Sequence, residues 1–420
     1  MDLLESLPQE FFQPFLPCFG LLNKCNVKFF DDRTLLWKIL PFFYILPSVM
    51  VYHTGLTIYL IEGFKNGTMG LDELVYVVPV YVVCVQSTFK ASIVVSKKKK
   101  IESIILHLGK LWRLGELSDV QISKKNMLLR RLKFCYAVFY WTNIIGSWHY
   151  ILAPLVEAIF RRCILQQDCD LELPFRCYFP FDPSSSWKVY LATYFFEASS
   201  MILFVYCLLG SEFLLIIICS HLATEFTLIQ EDILHAKPRN QNTNHITEQR
   251  SCSCNFDIYA CEKTDVEDFI RRHQILIGLT EDFDNVFNKM IFVNLSAATI
   301  SICFFGFAYK VSHGNAVLIF NSFIAVVASV MPIFNLCYYA EMLKDASEAI
   351  AEAAYSSLWY EGNESNMKSI IFIMQRSQKP CGLTSLKYNP ISLKTFTTVM
   401  STTWSYFSLA SNLYDNGAEN

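Results

Sequence analysis

Charge is scarce in this sequence. Only 17% of its 420 residues are Asp, Glu, Lys or Arg, where a soluble chain carries about a quarter. With 53% hydrophobic residues and 35 Phe, a soluble domain is excluded and a bilayer is the expected solvent. Catalytic signatures are missing too. There is no Gly-rich phosphate loop, metalloprotease helix or nucleophile elbow, so nothing reads as an enzyme or calls for a cofactor. No internal repeat is evident, which weighs against an inverted-repeat transporter. The opening residues, with Asp2 and Glu5, lack a basic region followed by a compact apolar core, so insertion is expected to be directed by the first membrane helix. A net charge of −3 points to neither nucleic acid nor an acidic partner. Many of the 15 Cys sit inside apolar runs (Cys84, Cys135, Cys207, Cys219, Cys303, Cys337), where they act as small hydrophobes.

What is present is a set of long apolar runs. Windows of about twenty residues give seven spans, near 39–61, 72–95, 134–160, 188–220, 289–310, 317–340 and 391–413. The fourth exceeds what a bilayer needs, so its helix is expected to continue into the cytoplasm or to tilt. The charges between the spans are unevenly shared. The N-terminal segment and the second, fourth and sixth loops hold 26 Lys and Arg, including Lys97 to Lys100; the opposite loops hold five, Lys65, Arg161, Arg162, Arg176 and Lys310. By the positive-inside rule the N-terminus is cytoplasmic and the C-terminus extracellular. That is the reverse of a G-protein-coupled receptor. The sequon Asn66-Gly67-Thr68 then falls outside, making Asn66 the expected glycosylation site. Two other matches, at Asn294 and Asn363, lie in a span and in a cytoplasmic loop. The fold class is therefore an all-α membrane protein of seven helices. Residues 1–340 hold helices one to six, 341–390 a cytoplasmic helical region, and 391–420 the last helix with a short outer tail.

The last segment is unusual for a membrane helix. Met374 to Pro380 is polar and cationic, and Ser392 to Leu413 is dotted with Ser, Thr and Asn. Lipid-facing helices need no such hydroxyls, whereas a pore wall or a helix–helix seam can use them.

Several blocks near the end resemble the insect odorant receptor family. They are Tyr355-Ser356-Ser357-Leu358-Trp359-Tyr360, Met374-Gln375-Arg376-Ser377-Gln378-Lys379-Pro380, Leu383-Thr384, Ser392-Leu393 with Phe396, and Trp404-Ser405-Tyr406-Phe407-Ser408-Leu409. Order and spacing match over about the last seventy residues; the rest matches in topology and loop lengths. Ser405-Tyr406-Phe407 takes the odorant form, not the Thr-Tyr form of the gustatory branch. Thr402-Thr403-Trp404 departs from the apolar run of the shared co-receptor. The resemblance therefore implies an odour-tuning subunit. Such a subunit would bind a small volatile apolar ligand and join the co-receptor in a tetrameric, ligand-gated, non-selective cation channel in the plasma membrane of olfactory neurons. A gustatory-type homomeric channel and a membrane transporter are the alternatives. Current only with the co-receptor, current from this chain alone, or saturable uptake without current would separate them.

The resemblance also assigns residues. Ser401, Ser405, Ser408, Leu409, Asn412 and Leu413 share one helical face, and the family's gate aligns with Leu409 and Leu413, with an amide at Asn412. These, with Ser405, are the expected pore residues, against the plainer reading of tight packing through small residues. From Glu341 to Gln378, Met342, Ala346, Ala349, Ala353 and Ser356 follow helical spacing. Family helices of this kind pack into an intracellular anchor, with Trp359, Gln375 and Arg376 as interface candidates; a solvated helix with one buried stripe is the simpler alternative. For the ligand, inward residues of spans two, three, four and six are expected: Tyr76 and Val80, Asn143, Gly146 and Tyr150, Tyr194 and Ala198, Phe320 and Phe323. Any one aromatic among them could be plain packing.

The cysteines of the outer loop, Cys163, Cys169 and Cys177, permit one disulfide of open connectivity. Cys252, Cys254 and Cys261 with His245 and His273 suggest zinc only superficially, since the C-x-C spacing lacks a second pair. No metal site is expected.

Overall fold

The fold is given by a computed structural model, which describes residues 7–31, 42–67, 69–115, 117–161, 166, 173–235, 265–311 and 316–418. Eleven α-helices occur among them. Two short ones open the chain, α1 (Gln9–Phe12) and α2 (Phe15–Lys24). They are followed by α3 (Phe42–Lys65), α4 (Leu71–Ser96), α5 (Lys98–Leu111), α6 (Asp119–Ile159) and α7 (Trp187–Leu234). The remainder are α8 (Asp265–Val311), α9 (Ala316–Ser356), α10 (Glu364–Ser377) and α11 (Leu393–Ala418). A two-stranded antiparallel hairpin, β1 (Thr384–Ser385) and β2 (Asn389–Pro390), pairs Thr384 with Pro390 and Ser385 with Asn389.

Each apolar run of the sequence lies largely within one of seven long helices: α3, α4, α6, α7, α8, α9 and α11. Five of these are apolar and long enough to cross a membrane. The other two are α6 and α11. The first half of α6 carries Lys124, Lys125, Arg130, Arg131 and Lys133, and α11 is rich in Ser and Thr. Both remain continuous helices of 41 and 26 residues, longer than a bilayer crossing needs.

The axis of the bundle is α7. Its 48 residues span about 72 Å at 1.5 Å per residue, so it runs well beyond one bilayer, as the length of the fourth run implies. From Leu209 to Phe226 every residue is buried, because α2, α4, α6, α8 and α9 all pack against it. Gly210 is required there. A Cβ at this position would stand 2.6 Å from Leu22 Cγ, so only glycine lets α2 approach so closely. On α5, Ile101, Ile104, Ile105 and Leu108 are buried at the spacing of one helical face, and Lys99 and Lys100 stay exposed.

At the end of α7 beyond the fourth span the packing becomes polar. His221 is fully buried, with Nε2 3.0 Å from the Phe11 carbonyl and the Trp112 ring at 4.7 Å. Burial pushes its imidazole down to about 4, so at neutral pH it is the uncharged tautomer with the proton on Nε2. Glu225, one turn further, is pushed up to about 7 by burial, opposed by the Arg113 and Arg272 charges. Arg113 pairs with Asp232 at 2.6 Å, and Lys125 bridges Glu10 at 2.9 Å and the Arg113 carbonyl at 2.7 Å. These contacts fasten α1 and the α5–α6 loop to the bundle.

Candidate functional site

Two features stand out: a cavity between helices and an uncovered face on the last helix. The cavity, about 180 Å³, lies among α4, α6, α7, α8 and α9, with Phe175 reaching in from the loop before α7. That is small beside drug-sized pockets of roughly 300–1,000 Å³. Pro79 of α4 and Pro332 of α9 both line it. A proline inside a helix removes one backbone hydrogen bond and bends the axis, which opens space between otherwise close-packed helices. Most of the wall is apolar, from Val80, Val83, Ile151, Met201, Val205 and Leu208 to Ala298, Phe305, Ile324 and Ile333.

Polar groups are gathered at two levels. His149 Nε2 lies 2.6 Å from Asn321 Oδ1, joining α6 to α9. Deeper, Gln86 Nε2 donates to Asn294 Oδ1 at 3.0 Å, and Asn294 Nδ2 donates to Glu212 Oε1 at 2.6 Å. Glu212 in turn forms an ion pair with Lys90, both side chains being wholly buried. Asn143 spends its Nδ2 on the Phe139 carbonyl of its own helix at 2.9 Å.

Four of the nine ligand-site residues expected from sequence line this cavity: Val80, Asn143, Gly146 and Tyr150. Tyr150 stacks on Phe175 with ring centroids 5.4 Å apart, and a Cβ on Gly146 would meet Ile324 Cγ2 at 3.2 Å. The other five lie elsewhere. Tyr194 and Ala198 are buried in the neighbouring cluster with Tyr52 and Tyr190, where the Tyr194 hydroxyl donates to the Ile151 carbonyl. Tyr76 is half-buried and does not line the cavity. Phe320 and Phe323 are 56% and 64% exposed, although Phe320 meets the His149 ring edge-on at 6.0 Å. The inward face of α9 is instead Asn321, Ile324, Ala325 and Ala328, one residue out of phase. Lipid is as apolar as Phe, so aromatic residues do not mark the inward side of a membrane helix. Sequence reasoning also passed over α8, which contributes Asn294, Ala298, Ser301 and Phe305. Their spacing of four, three and four residues was the available signal.

Helix α11 has two contrasting faces. Phe396, Val399, Met400, Phe407, Ala410 and Tyr414 pack on the bundle, and Thr403 is buried. Ser401, Ser405, Ser408, Leu409 and Asn412 are exposed together on the other face, Leu409 by 59%. The side chain of Leu413 lies outside the described residues. The hydroxyls of Thr397, Thr398, Thr402, Thr403 and Ser405 bond to carbonyls three or four residues back. They are therefore satisfied within the helix, which suits either an apolar seam or a wet wall. At the far end Lys310 of α8 holds Asp415 at 2.6 Å and the Ser411 carbonyl at 3.3 Å.

The segment leading into α11 is tied to α8 and α9. Asp284 accepts from the Thr384 amide at 2.7 Å and from its hydroxyl at 2.9 Å, and pairs with Lys387 at 2.9 Å. Leu386 and Lys387 both have positive φ, 51° and 67°. Two left-handed residues in a row make the tight turn of a hairpin and cost about 1–2 kcal/mol each in non-glycine residues; the Asp284 contacts offset that strain. Glu341 Oε2 accepts from the Leu393 amide at 3.0 Å, capping α11.

Of the anchor candidates, Trp359 is half-buried against the core in a one-turn 3₁₀ helix, Trp359–Glu361. Gln375 and Arg376 are exposed, Arg376 donating to the Lys379 carbonyl at 2.8 Å. Tyr355, Tyr360, Phe372 and Tyr388 are exposed as well. Asn66 is exposed at the end of α3, while Thr68 of its sequon lies outside the described residues. So do Cys163, Cys169, His245, Cys252, Cys254 and Cys261. Cys177 is a free thiol beside Gly55, and His273 is buried edge-on against Phe226. Among the described residues no group of three His, Cys, Asp or Glu side chains could hold a metal.

Comparison with known proteins identifies the family and the fold. A family model described as 7tm Odorant receptor matches residues 70–404. Odorant receptor 67c of Drosophila melanogaster is 26% identical over 267 residues, 63% of this chain and 61% of that protein. Odorant receptor 13a of the same species is 24% identical over 279 residues, covering 63% of each. The chain thus spans a little over three fifths of the length of these two relatives. Odorant receptor 85c, also from that species, aligns over 91% of this chain and 93% of its own at 19% identity. The relatives are odorant receptors, not enzymes. The structure of the insect olfactory receptor OR5 from Machilis hrabei in complex with eugenol superposes with a TM-score of 0.77 at 14% identity, covering 95% of this chain and 97% of that one. The all-α fold is shared.

Proposed function

The chain belongs to the 7tm odorant receptor family, and from that premise we propose that it is an odour-tuning subunit of a ligand-gated cation channel. Its ligand is a small volatile molecule held in the cavity between α4, α6, α7, α8 and α9. The similar OR5 structure holds eugenol, which supports a small-molecule occupant. The partner is the family's shared co-receptor, in a tetramer in the plasma membrane of olfactory neurons, with seven spans, the N-terminus cytoplasmic and the C-terminus outside.

The observation that carries the channel reading is the uncovered face of α11. A membrane helix that presents Ser401, Ser405, Leu409 and Asn412 away from its own bundle needs either water or other subunits against it. A central pore supplies both. Leu409 with Leu413 would form an apolar ring that closes by dewetting, and Asn412 would offer its carbonyl to a hydrated cation. An uncharged ring gives little selectivity among cations. Opening follows if ligand binding moves α8 or α9, since Asp284 and Glu341 tie these helices to the start of α11. On the cytoplasmic side, Trp359, Gln375 and Arg376, with the exposed aromatics around them, would hold the subunits together.

The test is expression with and without the co-receptor. Odour-evoked current only in the pair supports the proposal. Current from this chain alone would make it a homomeric receptor of the gustatory kind, and saturable uptake without current would make it a transporter.

A further inference from the structure

Resting on the cavity as the ligand site, we infer that its inner floor selects ligands bearing a hydroxyl group, and that Gln86 is the residue that reads it. Beneath this floor lies the wholly buried pair Lys90–Glu212. A carboxylate paired with a lysine ammonium presents only acceptor oxygens. Asn294, 2.6 Å away, must therefore turn its NH2 towards Glu212. Its carbonyl oxygen then points the other way, and takes the Gln86 NH2 at 3.0 Å. The orientation of an amide is ordinarily ambiguous; here the buried anion fixes both in series.

The consequence falls on the far end of Gln86. Its Oε1 accepts no hydrogen bond among the described residues, and the side chain lines the cavity. It offers an acceptor and one remaining N–H. A hydroxyl answers both, donating to Oε1 and accepting from the N–H. An ether can only accept, and a hydrocarbon leaves both groups without partners once water is displaced.

Depth agrees with this. Gln86, Asn143 and Asn294 lie 15, 16 and 17 residues from the helix ends Leu71, Ile159 and Val311. At 1.5 Å per residue each lies about 22–26 Å in from its helix end, and the hydrogen bond between Gln86 and Asn294 puts those two side by side. Tyr150, in contrast, is only nine residues from its end and stacks with Phe175 above. The ligand would enter with its apolar body against the upper wall and its hydroxyl on the floor. Lys90, Glu212 and Asn294 are positioning residues in this scheme, and Gln86 makes the contact.

The channel, co-expressed with its co-receptor, is tested with two matched sets: hexan-1-ol, its isomer methyl pentyl ether and heptane; benzyl alcohol, its isomer anisole and toluene. In wild type the alcohol of at least one set is expected to act at a concentration tenfold or more below its ether isomer, which corresponds to about 1.4 kcal/mol. Gln86→Met should shrink that ratio below threefold while the ether response survives, which shows that the complex is assembled. The double variant Lys90→Met, Glu212→Leu, which removes the oxygen that orients Asn294, should narrow the ratio although neither residue touches the ligand. Equal potency of alcohol and ether in both sets, silence to both alcohols, or an unchanged ratio in Gln86→Met would overturn the inference. If that variant fails to reach the surface, Gln86→Asn withdraws the amide by one methylene, and an unchanged ratio there overturns it equally. Gly146→Leu separates the two levels of the argument. Filling the cavity should weaken all responses together. Untouched responses would end the cavity reading and this inference with it. Weakened responses with a persistent alcohol preference in Gln86→Met would end the hydroxyl inference alone.

Discussion

Removing Lys90 should be among the most damaging single changes in the bundle, and removing its partner as well should undo much of the damage. Lys90 and Glu212 are both fully buried, and the second Glu212 oxygen has no partner. Breaking a buried pair from one side strands a charge and costs about 3–5 kcal/mol, whereas exchanging both members for apolar residues of similar volume is often neutral or better. Lys90→Met leaves the Glu212 carboxylate with only the Asn294 amide at 2.6 Å. Glu212→Leu strands the ammonium and deprives Asn294 of its acceptor, adding about 1–3 kcal/mol for the unpartnered donor. In the double variant Lys90→Met, Glu212→Leu only the Asn294 penalty persists. On these figures the two single costs together should exceed the double by roughly 6–10 kcal/mol, beyond the usual coupling of contacting residues.

The assay is the fraction of solubilised complex that survives a temperature series, read by its elution as a folded oligomer, since unfolding of such a protein is better treated as a rate than an equilibrium. Both single variants should lose the folded peak at lower temperature, and the double should recover most of the loss. Additive losses, with the double worse than either single, would refute the reasoning. They would mean that each group is stabilised by its surroundings and not by the other.

Other outcomes follow from the same structure. Tyr150→Ala, which removes the stacking on Phe175, should change odour preference at matched surface expression, whereas Phe323→Ala, 64% exposed, should leave preference unaltered. Leu409→Ser in the assembled complex should raise current without odorant, partially because other subunits keep their own residues; an unchanged leak and permeation would remove Leu409 from the pore. Asn66→Gln should abolish the mobility shift produced by glycosidase, and a C-terminal tag, unlike an N-terminal one, should stain on intact cells. Glu225, its carboxyl pushed up to about 7 by burial, binds more protons folded than unfolded between about pH 4.5 and 7, so its contribution to stability falls as pH rises through that window. Glu225→Gln should then raise thermal survival at pH 7.5 and give no advantage at pH 4.5; equal effects at both would refute the assignment. His221, pushed down to about 4, acts in the opposite sense between about pH 4 and 6.5, so the wild type should vary little there and the variant should gain stability as pH rises.

Long helices were legible in the sequence, because twenty apolar residues in a row have few alternatives to a membrane helix. The overlength of α7 was legible for the same reason. Rotational phase was not. In a soluble bundle apolar residues mark the inward side, but a lipid-exposed helix is apolar all round. Phe320 and Phe323 thus looked as eligible for the cavity as Asn321 and Ile324, and only the polar and small residues carried phase. Asn143 and Gly146 on α6, read as one face, do line the cavity. The same logic applied to α8 would have picked out Asn294, Ala298 and Ser301. Charges inside the apolar runs carry more than phase. Glu197, Glu212 and Lys90 each announce a partner, since a lone ion is too costly in that setting. The sequence does not say which partner, because the contact joins positions far apart in the chain. Glu197 is held by the Phe175 amide of the preceding loop at 3.2 Å, and Glu212 by Lys90, 122 residues earlier. Of the two, only Glu212 hands its polarity on through neutral amides to a cavity wall. A buried ion pair that merely stabilised the bundle would have no use for Asn294 and Gln86 in series, and it is this extension that connects the most costly feature of the fold to its candidate site.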